Sequence, residues 1–316
     1  MSAHSRGYAP ASIGNLGVGF DVLGLAIQGA GDTVTCELTD APGCVIESID
    51  GDEVAGDVSR LPTDAMRNTA SIAAHRLWLT HGDSRGLQLN LRKGTPLASG
   101  MGSSAASAVA AVMAVNALLE TPLSKTELLP FALEGEVYAS GAVHADNVAP
   151  SLFGGLVLCP PQLLPAVRQL PVPDGLSSIL VHPGLHVETA AARKVLSADV
   201  ALSDAVAQAG NLATLVDAAY ANDASRFASA AVDRLVEPQR KSLVRGFDDV
   251  QKAALTHGAL SCSLSGSGPS LFALCRASDA NAIADAMVDA FGQNDVSARA
   301  WCSSLQADGA SAERLS

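Results

Sequence analysis

The sequence predicts an α+β protein of two domains. Segments that read as strands and helices mix without the strict alternation of a doubly wound sheet, and 316 residues suffice for two domains of ordinary size. Prolines crowd one segment near the middle of the chain, at Pro160, Pro161, Pro165, Pro171 and Pro173. We therefore predict an N-terminal domain over residues 1–165 and a C-terminal domain over residues 166–316.

Composition favours a packed globular protein and argues against some partners. Hydrophobic residues make up 48% of the chain and charged residues 16%, so we expect a well-buried core. The net charge is −12, which argues against a nucleic-acid partner because binding to a phosphate backbone needs a basic face. The charge does not exclude ATP, whose phosphates are held by local loops and Mg²⁺.

The six cysteines contain no Cys-x-x-Cys pair, and the N-terminus has no apolar run of the signal-peptide type. We therefore expect reduced thiols and a cytoplasmic location. Residues 94–119 carry no charge and are long enough to span a bilayer. Their first half is rich in Gly, Pro and Ser, so we expect no membrane span.

Apolar periodicity places the elements in order along the chain. Strands are predicted over 33–38, 87–91, 155–158, 179–181, 259–264 and 271–275. Helices are predicted over 65–79, 104–119, 124–140, 188–196, 204–221 and 238–257, with a last helix and strand at the C-terminal end.

The strongest local signal is residues 94–112, GTPLASGMGSSAASAVAAV. A strand leads into a glycine-rich loop, and the loop opens a helix at Ser103 and Ser104. Free N–H groups at a helix start and the helix dipole favour a polyanion there. The pattern is neither a Walker loop nor a Rossmann fingerprint. Alone, it is equally compatible with a serine-capped connector.

Two further glycine-rich segments stand out. Residues 9–27, APASIGNLGVGFDVLGLAI, form a poor strand and a poor helix, and they embed Asn15 and Asp21 among apolar residues. Burying such groups without partners costs about 2–7 kcal/mol each. A turn in which both side chains satisfy local backbone groups is the simpler interpretation. Residues 261–275, SCSLSGSGPSLFALC, read alone as a hairpin.

Together and in this order, the three segments resemble the three motifs of the GHMP kinase superfamily. Within it, the chain is most similar to the homoserine kinase family, through GFDVLG at 19–24, HADNVAPSLFGG at 144–155, TAAAR at 189–193 and EPQR at 237–240. The resemblance covers nearly the whole chain. Met101 departs from it mildly, since leucine is usual there.

The resemblance implies an N-terminal domain like ribosomal protein S5 domain 2 and a ferredoxin-like C-terminal domain. It implies transfer of the γ-phosphate of ATP to the hydroxyl of L-homoserine with Mg²⁺, and a homodimer. The implied nucleotide-binding residues are Asn68, Lys93, Pro96, Leu97, Ala98, Ser99, Gly100, Met101, Gly102, Ser103, Ser104, Ala105 and Ala106. A surface lysine at a strand end is the alternative for Lys93.

Ser104 and Glu136 are implied to hold Mg²⁺, since one hydroxyl and one carboxylate with phosphates suit this ion. A solvated helix face is the alternative for Glu136. Asn147 occupies the position of an aspartate proposed as the base in relatives such as mevalonate kinase. Asparagine takes no proton, so we expect it to position the substrate in a catalytic step without a protein base.

Homoserine is a zwitterion, so its site needs cations and an anion. The resemblance implies Arg193 and Arg240 at the carboxylate, because guanidinium binds carboxylate bidentately. It implies Asp21 with Asn15 at the ammonium group and His144 beside the substrate. Surface arginines and a structural histidine are the simpler alternatives.

Three other functions stay open from the sequence. A GHMP kinase for mevalonate, shikimate or a sugar needs a different set of substrate residues. A catalytically inactive GHMP-fold module is disfavoured because the glycines and serines of the loop are intact. An RNA-binding protein sharing the N-terminal fold is disfavoured by the acidic charge.

Overall fold

The structure, a computed structural model, describes residues 3–140 and 143–315. Its strands are β1 (His4–Gly14), β2 (Leu23–Thr39), β3 (Cys44–Gly51), β4 (Gly86–Lys93), β5 (Leu156–Leu158), β6 (Arg168–Leu170), β7 (Leu176–Pro183), β8 (Ser261–Leu264), β9 (Leu271–Arg276), β10 (Ala298–Ser304) and β11 (Ser311–Leu315). Its helices are α1 (Thr69–His81), α2 (Ser103–Asn116), α3 (Lys125–Ser140), α4 (Ala145–Phe153), α5 (Thr189–Lys194), α6 (Leu202–Tyr220), α7 (Ala224–Ala230), α8 (Glu237–Arg240), α9 (Phe247–Thr256) and α10 (Ala280–Gln293).

The strands form two sheets. In the first, the order is β11-β1-β2-β4-β3, with β5 paired to β2 and β6 to β5. All its pairings are antiparallel except β3 with β4. The second is antiparallel, in the order β10-β7-β9-β8. The predicted α+β architecture is confirmed.

The domain boundary expected at 165/166 does not coincide with the sheets. β6 and β11 both lie in the predicted C-terminal domain but pair with strands of the first sheet. Both pairings complete strand edges that would otherwise leave backbone groups unpaired. The proline-rich segment therefore runs along the first sheet before the chain enters the second.

Helices cover the sheets around separate apolar clusters. α1, α2 and α4 pack against the first sheet, and α3 packs on these helices. Nearly every residue of α2 is buried, as expected for a helix that is apolar on all sides. α9 and α10 pack on the second sheet. A cluster including Ile13, Leu180 and Phe272 fills the space between the sheets. In the described part of the chain, no helix has the length and apolarity to cross a membrane.

Two segments depart from the sequence prediction. The first motif, expected to be a poor strand and a poor helix, forms the end of β1, a turn and the start of β2. Its β1 part pairs with β2, and a pairing irregularity falls between Pro10 and Ser12. The single helix predicted over 238–257 is divided into α8, a 3₁₀ turn and α9. The 3₁₀ turn ends at Val244 in an extended conformation, and Gly246, with φ of 81°, is the left-handed N-cap of α9.

Candidate active site

Backbone hydrogen bonds bring the three glycine-rich segments together. Ser12 N donates to Met101 O at 3.0 Å, and Gly266 N donates to Gly14 O at 3.0 Å. Ser265 Oγ donates to Gly100 O at 2.6 Å. Three segments that are far apart in the sequence thus form one continuous wall.

This wall borders a cleft of about 490 Å³. The predicted site residues that line it are Asn15, Asp21, Asn68, Lys93, Leu97, Ala98, Ser99, Gly100, Gly102, Ser103, Ser104, Glu136, His144, Asn147, Arg193 and Arg240. Four predicted nucleotide-binding residues do not line it: Pro96, Met101, Ala105 and Ala106. The side chains of these four are buried behind the loop, and their place in the nucleotide-binding loop stays a prediction.

At two positions of the glycine-rich loop, Gly100 and Gly102, there is no space for a side chain larger than that of glycine. Gly100 and Gly102 have φ of 74° and 67°. A Cβ on Gly100 would lie 2.4 Å from Ser265 O, and one on Gly102 would lie 2.4 Å from Ser12 Oγ. Gly102 is also the N-cap of α2. The first N–H groups of α2, at Ser103 and Ser104, therefore face the cleft where a polyanion is favoured.

Lys93 belongs to a buried ion pair under this loop. Its ammonium group contacts the Asp32 carboxylate and donates to Ser103 O at 2.9 Å and to Ser107 Oγ at 2.8 Å. Asp32 also accepts from the backbone N–H groups of residues 94 and 95, each at 3.1 Å. With three donors engaged, the ammonium group supports the loop, and the alternative of a surface lysine is wrong.

Asn68 is the N-cap of α1. Its Oδ1 accepts from Ala70 N at 3.0 Å, and its Nδ2 donates to Pro62 O at 3.0 Å. The helix predicted over 65–79 begins at Thr69 for this reason. Arg60 and Arg67 line the same end of the cleft, and sequence reasoning missed both.

A chain of polar contacts joins the predicted substrate-binding residues to the predicted metal ligand. Arg193 Nη2 lies 3.0 Å from both carboxylate oxygens of Asp21 and 3.1 Å from His144 Nε2. His144 Nδ1 lies 3.2 Å from Glu136 Oε1. Two substrate residues, the histidine and the predicted metal ligand therefore contact one another directly.

The tautomer of His144 follows from these partners. Arginine cannot accept a hydrogen bond, so Nε2 accepts from Arg193 and Nδ1 donates to Glu136. Burial lowers the pKa of His144, but the hydrogen bond to Glu136 and the charges of Asp146 and Glu136 raise it above its ordinary value. Protonation of Nε2 would break the contact with Arg193.

Asn15 and Asp21 bracket a left-handed turn. Both have positive φ, 69° and 57°. Asn15 Oδ1 accepts from Asp21 N at 3.0 Å, and Asn15 Nδ2 donates to Gly266 O at 3.1 Å. Asn15 thus satisfies one backbone group of its own turn and one in the distant 261–275 segment, and the Asp21 side chain lies at the cleft, so the simpler interpretation of purely local partners is wrong.

Arg240 is a buried cation. It is 2% exposed, and its guanidinium donates to Ala192 O at 2.9 Å and Gly266 O at 3.2 Å. It forms no ion pair with any acidic residue in the described ranges. Burial and the charge of Arg193 lower its pKa. The burial of Arg240 and its hydrogen bonds to two backbone carbonyl groups are inconsistent with the alternative of a surface arginine.

Comparison with known proteins agrees with this geometry. The family model described as "GHMP kinases N terminal domain" matches residues 68–155, and "GHMP kinases C terminal" matches residues 209–294. A homoserine kinase of Xanthomonas campestris pv. campestris is 43% identical over 307 residues, 97% of this chain and 93% of the relative. One of Chloroherpeton thalassium is 43% identical over 299 residues, 90% of this chain and 91% of the relative.

The crystal structure of homoserine kinase from Cytophaga hutchinsonii has a TM-score of 0.93 and 45% identity, and the match covers 98% of this chain and 97% of that one. The chain belongs to the homoserine kinase family of the GHMP kinases. It is therefore an enzyme of a kinase class whose phosphoryl donor is ATP. The fold and the kinase class predicted from the sequence are confirmed.

Besides Arg60 and Arg67, sequence reasoning missed Asp146 and Phe20 in the cleft of this homoserine kinase family member. Asp146 lines it and is 2% exposed, and its Oδ2 accepts from Asn15 N at 3.1 Å. Burial and the charge of Asp21 raise the pKa of Asp146 to about 7. Phe20 lies with its ring centroid 5.5 Å from the guanidinium carbon of Arg193 and 5.4 Å from that of Arg240.

The sequence held a signal for each of these two residues. Asp146 precedes Asn147 at the start of α4, and Phe20 precedes Asp21 in the first motif. Asn147 itself lines the cleft, and its Oδ1 accepts from Ser12 Oγ at 3.0 Å.

Proposed function

We propose that this protein transfers the γ-phosphoryl group of ATP to the side-chain hydroxyl of L-homoserine, forming O-phospho-L-homoserine for threonine biosynthesis. The observation that carries the proposal is Arg240, a 2% exposed cation on the wall of the cleft with no acidic partner at ion-pair distance in the described chain. A buried cation that no carboxylate contacts directly is unfavourable, so an anionic ligand group is expected beside it.

The nucleotide side of the cleft is the glycine-rich loop and the start of α2. Backbone N–H groups from Gly102 onward and the helix dipole stabilise the phosphates. Asn68 and Lys93 also line the cleft, and we propose that both lie beside the nucleotide.

The metal side of the cleft pairs Ser104 with Glu136, and both line the same cavity. In the described residues, no group of three or more His, Cys, Asp or Glu side chains could hold a metal ion. Ser104 and Glu136 supply one hydroxyl and one carboxylate, a donor set that fits Mg²⁺ because this ion keeps water and phosphate ligands. When bound, Mg²⁺ neutralises phosphate charge.

The acceptor side presents two cations and two carboxylates to one small molecule. We assign the carboxylate of an amino acid to Arg193 and Arg240 and its ammonium group to Asp21 and Asp146, and all four residues line the cleft. A monoacid such as mevalonate, or a neutral sugar, would leave some of these charges without partners. This arrangement favours an α-amino acid within the family.

Asn147 is placed to orient the reacting hydroxyl and cannot remove its proton. Phosphoryl transfer has a loose transition state with charge on the phosphoryl oxygens, so positioning and charge stabilisation supply most of the rate. We propose that the hydroxyl proton leaves with the phosphoryl group or to water, without a protein base.

An ADP-release assay with Mg·ATP and a panel of homoserine, mevalonate, shikimate and galactose tests the proposal. Homoserine should be preferred by roughly 10⁴ in kcat/KM, because any other compound leaves buried polar groups unpaired. Faster turnover of mevalonate or galactose would show that the substrate is wrong within the superfamily.

Two further properties are proposed from the resemblance alone: a homodimer and a cytoplasmic location. Light scattering of the purified protein at several concentrations measures the first. A monomer at every concentration would contradict it.

A further inference from the structure

We propose that Gln208 and Asp233, to which the sequence analysis gave no role, are positioning residues. They fix the position of Asp21, on the ammonium side of the amino-acid site, relative to Arg240, on the carboxylate side. We call this pair the Gln208–Asp233 brace. The inference rests on the proposed function, because it concerns the distance between the groups that bind ammonium and carboxylate. Neither side chain lines the cleft, so the brace acts through the backbone of the residues that do.

Gln208 joins two segments that are far apart in the sequence. It is 8% exposed and lies on α6. Its Nε2 donates to Val18 O at 2.7 Å, in the turn that carries Asp21. Its Oε1 accepts from Arg234 N at 2.8 Å, in the segment that leads to Arg240. Both ends of one amide are therefore used to hold the two segments together.

The same two segments also touch directly. Gly17 has φ of 68°, and a Cβ there would lie 2.5 Å from Ala231 O. One turn further along α6, Asn211 Nδ2 donates to Val232 O at 3.2 Å. The close approach at Gly17 leaves little room for the first turn to move toward the second segment, and the Gln208 amide opposes movement away from it.

Asp233 fixes the geometry of the second segment. It is 8% exposed, and its Oδ1 accepts from Leu235 N at 2.8 Å and Val236 N at 2.9 Å. Its Oδ2 accepts from Glu237 N at 2.9 Å. Three donors that would be unsatisfied at the start of α8 are thus held by one carboxylate. α8 is a single turn that ends at Arg240.

The two halves of the brace act in series. Gln208 sets where the second segment lies relative to the turn of Asp21, and Asp233 sets where Arg240 lies on that segment. Losing either allows the separation of Asp21 and Arg240 to vary, so ordering the site on binding becomes less favourable. The phosphate loop is held by other contacts, such as that of Ser265 Oγ with Gly100 O, and should not respond.

The test compares Gln208→Met and Asp233→Asn with Gln169→Met. Methionine keeps the length of glutamine and removes both hydrogen bonds, and asparagine at 233 cannot accept with its NH₂ group. Gln169 is the matched control, because its Nε2 donates to Phe153 O and Gly154 O at 3.0 and 3.1 Å, and it does not line the cleft. KM for homoserine, KM for ATP, kcat and the melting temperature are measured for each.

We expect KM for homoserine to rise roughly 3- to 10-fold in Gln208→Met and Asp233→Asn, the effect of about one lost hydrogen bond. KM for ATP should stay within about 2-fold in both, and Gln169→Met should keep both KM values. An unchanged KM for homoserine in either folded variant overturns the proposal, as does an equal rise in both KM values.

The brace and the proposed function fail in distinguishable ways. A wild-type enzyme that does not phosphorylate homoserine removes the proposed function. A wild-type enzyme that does, with no change of homoserine KM in the variants, removes only the brace. If Gln208→Met does not fold, Asp233→Asn decides, because it keeps the acceptor for Leu235 and Val236.

Discussion

Arg193 Nη2 lies 3.0 Å from both carboxylate oxygens of Asp21, so two residues proposed to bind opposite charges of the substrate bind each other. The side chains are 36% and 26% exposed, and such a partly solvated pair contributes little to stability. A zwitterion can replace the contact and leave neither residue unpaired. A ligand with one charge cannot, which gives the cleft a physical preference for amino acids.

Replacing Arg193 tests this relationship. In Arg193→Leu, the substrate carboxylate loses a charge-assisted partner, so kcat/KM for homoserine should fall about 30- to 1000-fold, or roughly 2–4 kcal/mol. The loss should appear mainly in KM for homoserine, with KM for ATP little changed. Arg226→Leu is the control, because Arg226 forms an exposed ion pair with Asp217. A normal homoserine KM in Arg193→Leu would show that the site is misplaced.

Ser104→Ala and Glu136→Ala should each reduce kcat by about 10²–10³, because each removes one electrostatic partner of the metal and phosphates. Circular dichroism checks that the fold is intact, and kcat is measured across Mg²⁺ concentrations. Glu134→Ala is the matched control, two positions away on α3 in an exposed pair with Arg76. Wild-type kcat in Glu136→Ala would contradict the metal role.

Local patterns along the sequence predicted much of the fold. The helix predicted over 104–119 is α2 (Ser103–Asn116), since apolar content and a glycine before two serines define its core and its start. The helix predicted over 238–257 was wrong, because apolar periodicity does not show that Gly246 adopts a left-handed conformation. Whether a segment is a helix or a strand follows from the pattern of neighbouring residues, whereas the point where a helix is interrupted can depend on the backbone conformation of a single residue.

The sequence predicted those residues of the site that belong to the family motifs, and it did not predict the contacts that depend on the folded structure. Asp32 and Lys93 are 61 positions apart, and no local pattern indicates that they pair. Their contact depends on β2 and β4 lying side by side, which is a property of the folded sheet. Asp146 was missed although it adjoins Asn147, because adjacent residues of a helix generally point in different directions and only the folded site shows that both line the cleft.

Asn147→Ala should lower kcat without abolishing it, because the change removes orientation of the hydroxyl and no base. The variant also frees Ser12 Oγ, which donates to Asn147 Oδ1 at 3.0 Å, so Ser12→Ala measures that contribution separately. The pH–rate profile of Asn147→Ala should keep the wild-type shape. A titrating limb that disappears in the variant would contradict a mechanism without a base.

Asp146→Asn should change how stability depends on pH. Burial raises the pKa of Asp146 from 3.8 to about 7, so in this range the folded state holds a proton that the unfolded state has lost. Stability of the wild type should therefore fall as pH rises from about 4 to 7. The raised pKa of His144 acts in the same direction, since its contribution is lost as pH rises through that pKa.

Asparagine at position 146 can still accept from Asn15 N but does not titrate. The melting temperature of Asp146→Asn should therefore vary less with pH than that of the wild type and should exceed it at pH values above about 7. KM for homoserine should rise, because the ammonium group loses a carboxylate. Melting curves with the same pH dependence in both proteins would show that Asp146 ionises normally.

Lys93→Met distinguishes support of the loop from direct binding of ATP. The Lys93 and Asp32 side chains are 2% and 1% exposed, so removing the ammonium group leaves a buried carboxylate without its cation. The free energy of unfolding, measured in urea, should fall by about 3–5 kcal/mol. Lys241→Met is the control, because Lys241 pairs with Asp248 on the surface and its loss should change stability by less than about 1 kcal/mol. If Lys93→Met keeps wild-type stability while KM for ATP rises sharply, Lys93 binds the nucleotide and the buried pair is not what holds the loop.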